Sequence, residues 1–441
     1  MLQTLFHIPL GWLQILWAAG SLIWFGYVWR REGLVAAARA TLATLAVIGL
    51  VLLLVLPAVC DRDGLPIRGY GVMLLLGLVS GVGLAMYRAR RMGLNPDAIQ
   101  ALAFWLVMGG IIGARGFYVI EYWPEFQKGD LFETLKAIVD FTKGGLVVFG
   151  SALGAGLALV LFVRKYRLPG LALADLIAPS LMLGLAFGRV GCFLNGCCFG
   201  GVCHEPWAVR FPPGSPPHLE EAKKGDLSLF GLKMVNADPH APAVIGEVEP
   251  GSPAYEAGLR KGQRVTRIRV NEYEFPGMAA PSSLSCSRQP QSIAKPPPAT
   301  VEDALFALET ARHAGDQVAV FTTNDIVPAT WTIKQPPART LPLHPAQLYA
   351  ALDALLLCLL LLAFYPYRQR DGEVFALMIT VHPISRFLQE IIRVDEAGQF
   401  GTGLSISQLV GIAMFAAAIG LWCYLARQPK GSVLPPRVAV S

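Results

Sequence analysis

Residues 171–191 read LALADLIAPSLMLGLAFGRVG, and the chain runs on as CFLNGCCFG to residue 200. A hydrocarbon core of about 30 Å takes roughly 20 predominantly apolar residues as a helix. This stretch is long enough to span it. It does not stand alone: similar apolar runs, bounded by Arg, Lys, Pro or Gly, fall at 8–28, 37–57, 70–88, 100–120, 144–164, 345–365, 372–392 and 405–426. Composition agrees with a membrane protein. Of 441 residues, 54% are hydrophobic and only 15% charged, against about 25% charged in an average soluble protein. The net charge of +6 is scattered in short clusters between the apolar runs, which suits membrane topology and argues against a nucleic-acid partner.

Basic residues stay on the cytoplasmic side of short membrane loops. Arg30, Arg31 and Arg39 follow the first run, Arg88, Arg90 and Arg91 the third, and Arg164, Lys165 and Arg167 the fifth. Arg368 and Arg370 follow the seventh, and Arg427 and Lys430 the ninth. Every second loop is basic, and the alternation never breaks. The expectation is an N-terminus outside, a cytoplasmic tail at 427–441, and outward-facing loops at 58–69, 121–143, 192–344 and 393–404. Because Arg30 and Arg31 follow the first run rather than precede it, the layout of a cleaved signal peptide is not expected.

The one long connection, 201–343, is polar, rich in Pro and without a spanning segment, so it is expected to hold a domain of its own. Val244-Ile245-Gly246-Glu247-Val248 reads as a strand, followed by Pro250-Gly251-Ser252-Pro253-Ala254, then Ala257-Gly258-Leu259 and Lys261-Gly262-Gln263. That order resembles the PDZ family, with Gln263 where the family usually has Asp. A helix at 301–314 and a strand at 317–322 would complete such a module, placed at about 228–336. Phe230-Gly231-Leu232-Lys233 is a weak match to its carboxylate-binding loop. The Ser-, Pro- and Gln-rich stretch 280–299 reads as a disordered insertion.

The string Gly188-Arg189-Val190-Gly191-Cys192-Phe193-Leu194-Asn195-Gly196-Cys197 stands at the outer end of the sixth run. An arginine at the mouth of an apolar helix is costly unless it is paired or reaches water, so it points to function. Arg189, Gly191, Phe193, Asn195 and Gly196 resemble the G-R-x-G-N-F-x-N-G-E signature of prolipoprotein diacylglyceryl transferases. Further matches come in family order: Tyr70-Gly71; Gly113-Ala114-Arg115-Gly116-Phe117-Tyr118; His344-Pro345-Ala346-Gln347-Leu348-Tyr349; and Arg386-Phe387-Leu388-Gln389-Glu390-Ile391-Ile392-Arg393. The resemblance covers about 70–200 and 344–426. It implies an all-α polytopic membrane protein of the bacterial inner membrane. Two extra N-terminal helices (1–62) would precede a seven-helix transferase-like core (63–200 and 344–426), interrupted by the β-rich PDZ-like insertion.

The activity implied by the resemblance is attack of a preprolipoprotein lipobox cysteine on phosphatidylglycerol, which expels glycerol phosphate and needs no metal or cofactor. A departing phosphate is stabilised by bidentate guanidinium groups. The expected catalytic set is therefore Arg189, Arg386, Glu390 and His382, the last aligned near a family Tyr and suited by its ordinary pKa to act as a base. Lipid binding is expected from Arg189, Asn195, Tyr70, Arg115, His344, Gln347, Tyr349 and Arg393. Six of them have a plainer reading. Glu390 lies four residues after Arg386 and three before Arg393, so it can simply pair with both. Arg189 and Arg393 can be interfacial anchors, His344 a helix cap, and Tyr70 and Tyr349 interface aromatics.

The chain departs from the family pattern at Phe149, where the family has His, and at Cys192 and Cys197, where it has Asn and Glu. A disulfide from Cys197 or Cys198 to Cys203, a metal site of Cys197, Cys198, Cys203 and His204, and free thiols are all open. Two other functions stay in play: a non-catalytic lipid or lipoprotein binder that uses its PDZ-like module as an adaptor for a peptide partner, and a membrane thiol oxidoreductase.

Overall fold

The computed structural model describes residues 4–32, 65–127, 130–139, 145, 147–234, 241–271, 273–276, 299–311, 313–323, 327–335, 337–393 and 402–433. The run expected at 37–57 and most of the stretch 280–299 lie outside these residues. The other expected runs are helices: α1 (Leu10–Glu32), α2 (Gly69–Arg91), α3 (Pro96–Glu121), then after a short connecting helix α4 (Leu131–Val139), and α5 (Val148–Tyr166) and α6 (Gly170–Asn195). Among the described residues, five helices are long and apolar enough to cross a membrane: Gly69–Arg91, Pro96–Glu121, Gly170–Asn195, Ala346–Tyr367 and Ile406–Ala426. The protein is a multi-pass membrane protein.

Helix α6 is the axis of the bundle. Of its most apolar window 61% is buried, against 17% for the C-terminal span. Helix α2 and the helices Ala346–Phe364 and Glu373–Glu390 pack against it, and the bundle turns leucines outward: Leu74, Leu75 and Leu78 of α2 are exposed on the molecule's own surface. In a bilayer that is the lipid face, because lipid tails are as apolar as leucine and association rests on close packing. The crossing of α3 and α5 shows how close. A side chain on Gly113 would bring its Cβ within 2.7 Å of the Gly154 Cα. Gly109 and Gly113 on one helix face Gly150 and Gly154 on the other, each pair four residues apart, so backbone lies against backbone. The glycine of the Gly113-Ala114-Arg115 motif thus serves the helix crossing.

Two features escape a reading of apolar runs. Thr4–Ile8 (β1) pairs antiparallel with Leu65–Arg68 (β2), tying the N-terminus to the entry of α2. The connection expected as the loop 121–143 contains α4. Apolar periodicity over a few residues is too short to announce either.

At the opposite end of the bundle from Arg189, a buried carboxylate organises the helix ends. Asp175 of α6 accepts hydrogen bonds from the backbone N–H of Gly372 (2.7 Å) and Phe375 (2.8 Å). These are orphan donors at the start of the helix Glu373–Glu390, so Asp175 caps that helix from across the bundle. Arg368 lies 3.8 Å from the same carboxylate and stacks over the Tyr365 ring at 3.7 Å. Arg88 covers the ring at 4.2 Å and donates to the Leu176 carbonyl. Each buried charge finds a partner, as the low-dielectric setting requires.

Between α6 and the next span the chain leaves the bundle. It forms α7 (Pro216–Lys224), an antiparallel pair β3 (Leu232–Met234) and β4 (Ile245–Val248), and a four-stranded antiparallel sheet. In that sheet β5 (Val265–Val270) lies between β6 (Tyr273–Pro276) and β7 (Gln317–Thr322), and β8 (Ala329–Thr332) pairs with β7. Helix α8 (Val301–Thr310) packs on β5, opened by a capping box between Thr300 and Asp303. Leu232, Ile245, Leu259, Ile268, Leu305, Leu308 and Val320 make one closed core. The insertion therefore carries its own hydrophobic centre, separate from the bundle.

The chain enters and leaves this module through a paired neck. Phe211 N–H donates to Thr340 Oγ1 (2.8 Å), Thr340 N–H to the Phe211 carbonyl (3.1 Å), and Val209 N–H to the Leu343 carbonyl (3.0 Å). The bundle then resumes with α9 (Ala346–Phe364), α10 (Glu373–Glu390) and α11 (Ile406–Ala426). Helix α10 ends earlier than the run 372–392, so Arg393 stands just beyond it.

Asp175→Ala removes both the cap of α10 and the counter-ion of Arg368. Breaking a buried pair from one side costs about 3 kcal/mol. Thermal unfolding of the full chain in detergent is expected to show a clearly lowered midpoint; an unchanged midpoint would mean α10 is fixed by other contacts.

Candidate active site

The end of α6 is set by Gly196, which adopts φ 84° and donates its N–H to the Cys192 carbonyl at 2.8 Å. The reversal sends the chain back against two other segments. Gly200 N–H donates to the His344 carbonyl (3.0 Å), His344 N–H to the Gly201 carbonyl (2.9 Å), and Gly201 N–H to the Ile392 carbonyl (3.0 Å). A Cβ on Gly200 would stand 2.6 Å from that of His344, so the approach needs a glycine. Three stretches far apart in sequence, 196–203, 342–349 and 390–393, are thus woven into one platform at the mouth of the bundle.

On that platform Glu390 pairs with two arginines. Arg386 reaches its Oε2 directly, and Arg393 does so at 3.1 Å. All three are shielded: the Glu390 side chain is 3% exposed, Arg393 6% and Arg386 14%. Arg386 also donates to Ser407 Oγ of α11 at 3.2 Å. Two guanidinium groups share one carboxylate, which leaves the group net positive. The expected pairing of these residues is present.

His382 lies one turn before Arg386, within electrostatic reach of Asp353, Arg189 and Arg386. Both arginines expected to act together thus lie within electrostatic reach of the same histidine. The His382 Nδ1 atom is buried without a hydrogen-bond partner among the described residues. Asp353 of α9 accepts a hydrogen bond from Ser385 Oγ at 2.8 Å, next to the histidine. Sequence reasoning missed Asp353, although a lone carboxylate in the apolar run 346–364 was itself a signal.

Tyr70, at the start of α2, rests on Gly191 and lies within electrostatic reach of Arg189 and of Cys192, Cys197 and Cys198. The His344 motif is turned toward the platform. Gln347, 1% exposed, donates to the Cys197 carbonyl at 2.7 Å. Tyr349 Oη meets His344 Nδ1 at 3.3 Å and accepts from Trp207 Nε1 at 2.8 Å, a residue of the neck that the sequence reading did not single out. Asn195 hydrogen-bonds the Cys197 thiol. Arg115 is placed otherwise: three of its N–H groups go to the carbonyls of Ala137 (2.9 Å), Ile138 (2.8 Å) and Gly145 (3.1 Å). It holds the segment that leads into α5.

The cysteines correct the sequence reading. Of the readings left open, the structure holds free thiols: Cys192, Cys197, Cys198 and Cys203 are unbridged. The grouping differs. The Sγ atoms of Cys192, Cys197 and Cys198 lie within 4.8 Å of one another, and neither Cys203 nor His204 belongs to the group. The turn at Gly196 folds Cys197 and Cys198 back onto the last turn of α6, whereas Cys203 is buried where its N–H joins the Pro342 carbonyl at 2.8 Å. Hydrogen bonds from the Cys192 and Cys198 thiols hold the Cys197 thiol below the usual range.

The family profile described as "Prolipoprotein diacylglyceryl transferase" matches residues 57–260 and 304–424. The phosphatidylglycerol–prolipoprotein diacylglyceryl transferase of Rhodopirellula baltica is 33% identical over 462 residues, covering 95% of this chain and 88% of that protein. Proteins of the same name from Trichormus variabilis and Clostridium tetani are 37% and 33% identical over 164 and 165 residues. Each of those matches covers 37% of this chain, and 56% and 64% of the respective relatives.

Glu390→Ala leaves two shielded guanidinium groups without their shared carboxylate, at a cost of about 3 kcal/mol. Glu390→Gln keeps the shape and one acceptor, and is expected to lose less. Thermal unfolding of the two variants in detergent reads the difference; equal, small losses would show that the arginines do not depend on this carboxylate.

Proposed function

The chain belongs to the prolipoprotein diacylglyceryl transferase family, and from that premise we propose that the mouth lined by Arg189, His382 and Arg386 is where it acts. The protein is a membrane transferase of the first step of lipoprotein maturation. It moves the diacylglyceryl group of phosphatidylglycerol to the lipobox cysteine of a preprolipoprotein and releases glycerol phosphate.

The observation that carries the assignment of the mouth is that His382 lies within electrostatic reach of both Arg189 and Arg386. In the proposed reaction the cysteine sulfur attacks the glycerol carbon that bears the phosphate ester. The carbon–oxygen bond breaks, and its electrons leave on the phosphate. Arg189 and Arg386 hold that charge as it grows, in a site shielded from water where such contacts count most. Glu390 keeps Arg386 and Arg393 in place without cancelling both charges. His382, whose Nδ1 lacks a protein partner among the described residues, takes the thiol proton. Tyr70 and Asn195 border the head group. His344, Gln347 and Tyr349 act through the platform they support, and Arg115 by fixing the entry to α5.

The finer topology is part of the same proposal. The alternation of basic loops places the N-terminus and the insertion outside and the C-terminus in the cytoplasm, so that Arg189 faces the outer leaflet. The insertion is proposed to be PDZ-like, supported by β4, the helical turn Pro253–Glu256, β5, α8 and β7 in that order. Such modules bind extended peptides by strand addition.

A second reading, a non-catalytic binder of the same lipids, is favoured by Phe149 and Cys197 at positions where the resembling family has His and Glu. One assay separates them. Full-length protein in phosphatidylglycerol vesicles, given a lipobox peptide, is expected to transfer labelled diacylglycerol. Arg189→Ala and Arg386→Ala should each slow transfer by about 10²-fold or more, and His382→Ala by about 10²-fold. Absence of transfer by the parent protein, with lipid and peptide both bound, would establish the binder instead.

A further inference from the structure

The established reaction alkylates a thiol, and the chain carries three thiols of its own beside the site. Cys192, Cys197 and Cys198 present their sulfurs within 4.8 Å of one another, all half-buried. They occupy the platform rather than a mobile surface. Gln347 pins the Cys197 carbonyl at 2.7 Å, and its own Oε1 is buried without a partner among the described residues. Cys198 sits at φ 59°, a left-handed conformation that L-residues avoid unless their surroundings impose it. Tyr70 rests on Gly191 and lies within electrostatic reach of the three thiols and of Arg189 alike, and Cys192 stands three residues after Arg189 on the same helix, so the sulfur group lies beside Arg189.

We propose that Cys192, Cys197 and Cys198 form a three-sulfur zinc site whose fourth position receives the lipobox thiol. This rests on the transferase reading above and assigns that site its means of activating the nucleophile. It replaces the expectation of a metal-free site.

The chemistry favours zinc for stated reasons. Thiolates select soft or borderline cations, and zinc takes four ligands tetrahedrally at about 2.3 Å from sulfur. That geometry needs sulfur–sulfur separations of about 3.8 Å, which a small contraction of the present group supplies. Zinc performs no redox chemistry, so it does not oxidise the thiols it holds. Three protein ligands and one open position are the pattern of a catalytic site.

Coordination would displace the proton of the incoming thiol, because a zinc-bound thiol is deprotonated outright. The proton passes to His382 or to water. A sulfur lone pair then forms the bond to the glycerol carbon, and the carbon–oxygen bond to phosphate breaks. Glycerol phosphate departs with the electron pair. The product thioether is neutral, binds zinc more weakly than a thiolate, and frees the fourth position. On this view the family His and Glu are absent at Phe149 and Cys197 because the metal supplies activation here.

The test uses the full-length chain in detergent or vesicles. Elemental analysis of protein purified without chelator should find about 1 zinc per chain, lost in Cys192→Ser and Cys197→Ser and kept in Cys203→Ser. Removing the metal with a chelator should slow transfer of labelled diacylglycerol to a lipobox peptide at least about tenfold, and added Zn²⁺ should restore it. Arg386→Ala should lose transfer and keep its zinc, which separates the two readings. A parent protein that transfers at full rate without zinc overturns the metal site and leaves the transferase intact. So does isolation with two of the three thiols joined in a disulfide and no metal. Bound zinc with no transfer leaves the metal site standing and removes the transferase reading.

Discussion

Glu390 holds two arginines at the mouth of an otherwise apolar bundle, and the site depends on that shared carboxylate. Inside a membrane an unpaired guanidinium is costly, while one fully neutralised by a partner has little left to offer a ligand. One carboxylate between Arg386 and Arg393 resolves the conflict. The arginines are held in place, and net positive charge remains for an anion. Arg189 from α6 and Arg386 both lie within electrostatic reach of His382. In the proposed reaction, a phosphate that gains charge as it leaves would meet preorganised donors there, with little reorganisation left to be done.

The rest of the fold keeps that mouth in register. The glycine-lined crossing of α3 and α5 and the capping of α10 by Asp175 fix the helices at depth. At the mouth, backbone hydrogen bonds tie the turn after α6 to the starts and ends of two other helices. The inserted module is bound to the same place by its paired neck, and Trp207 extends from the neck to Tyr349. The inserted module is thus joined to the platform by structure as well as by chain connectivity.

Much of this was legible in the sequence because the bilayer imposes length and polarity. Apolar runs marked the long described helices of the bundle to within a few residues, and the four- and three-residue spacings around Glu390 placed its arginines on one face. What hydropathy does not report is contact between distant segments. The pairing of β1 with β2, the cap that Asp175 gives to α10 and the meeting of Trp207 with Tyr349 all join residues far apart in the chain. The cysteines show the same limit. Sequence proximity grouped Cys203 and His204 with Cys197 and Cys198, whereas the reversal at Gly196 brings in Cys192. Asp353 was visible as a charge in an apolar run, yet its place beside His382 emerged only from the packing of α9 on α10.

The central claim is that Arg189 and Arg386 close on one lipid phosphate, and an electron cryomicroscopy map of the full-length chain in phosphatidylglycerol nanodiscs tests it most directly. The expected map has head-group density between the two guanidinium groups, beside His382, with acyl chains running down between helices. Head-group density at some other place, with the two arginines turned to unconnected spaces, would contradict it.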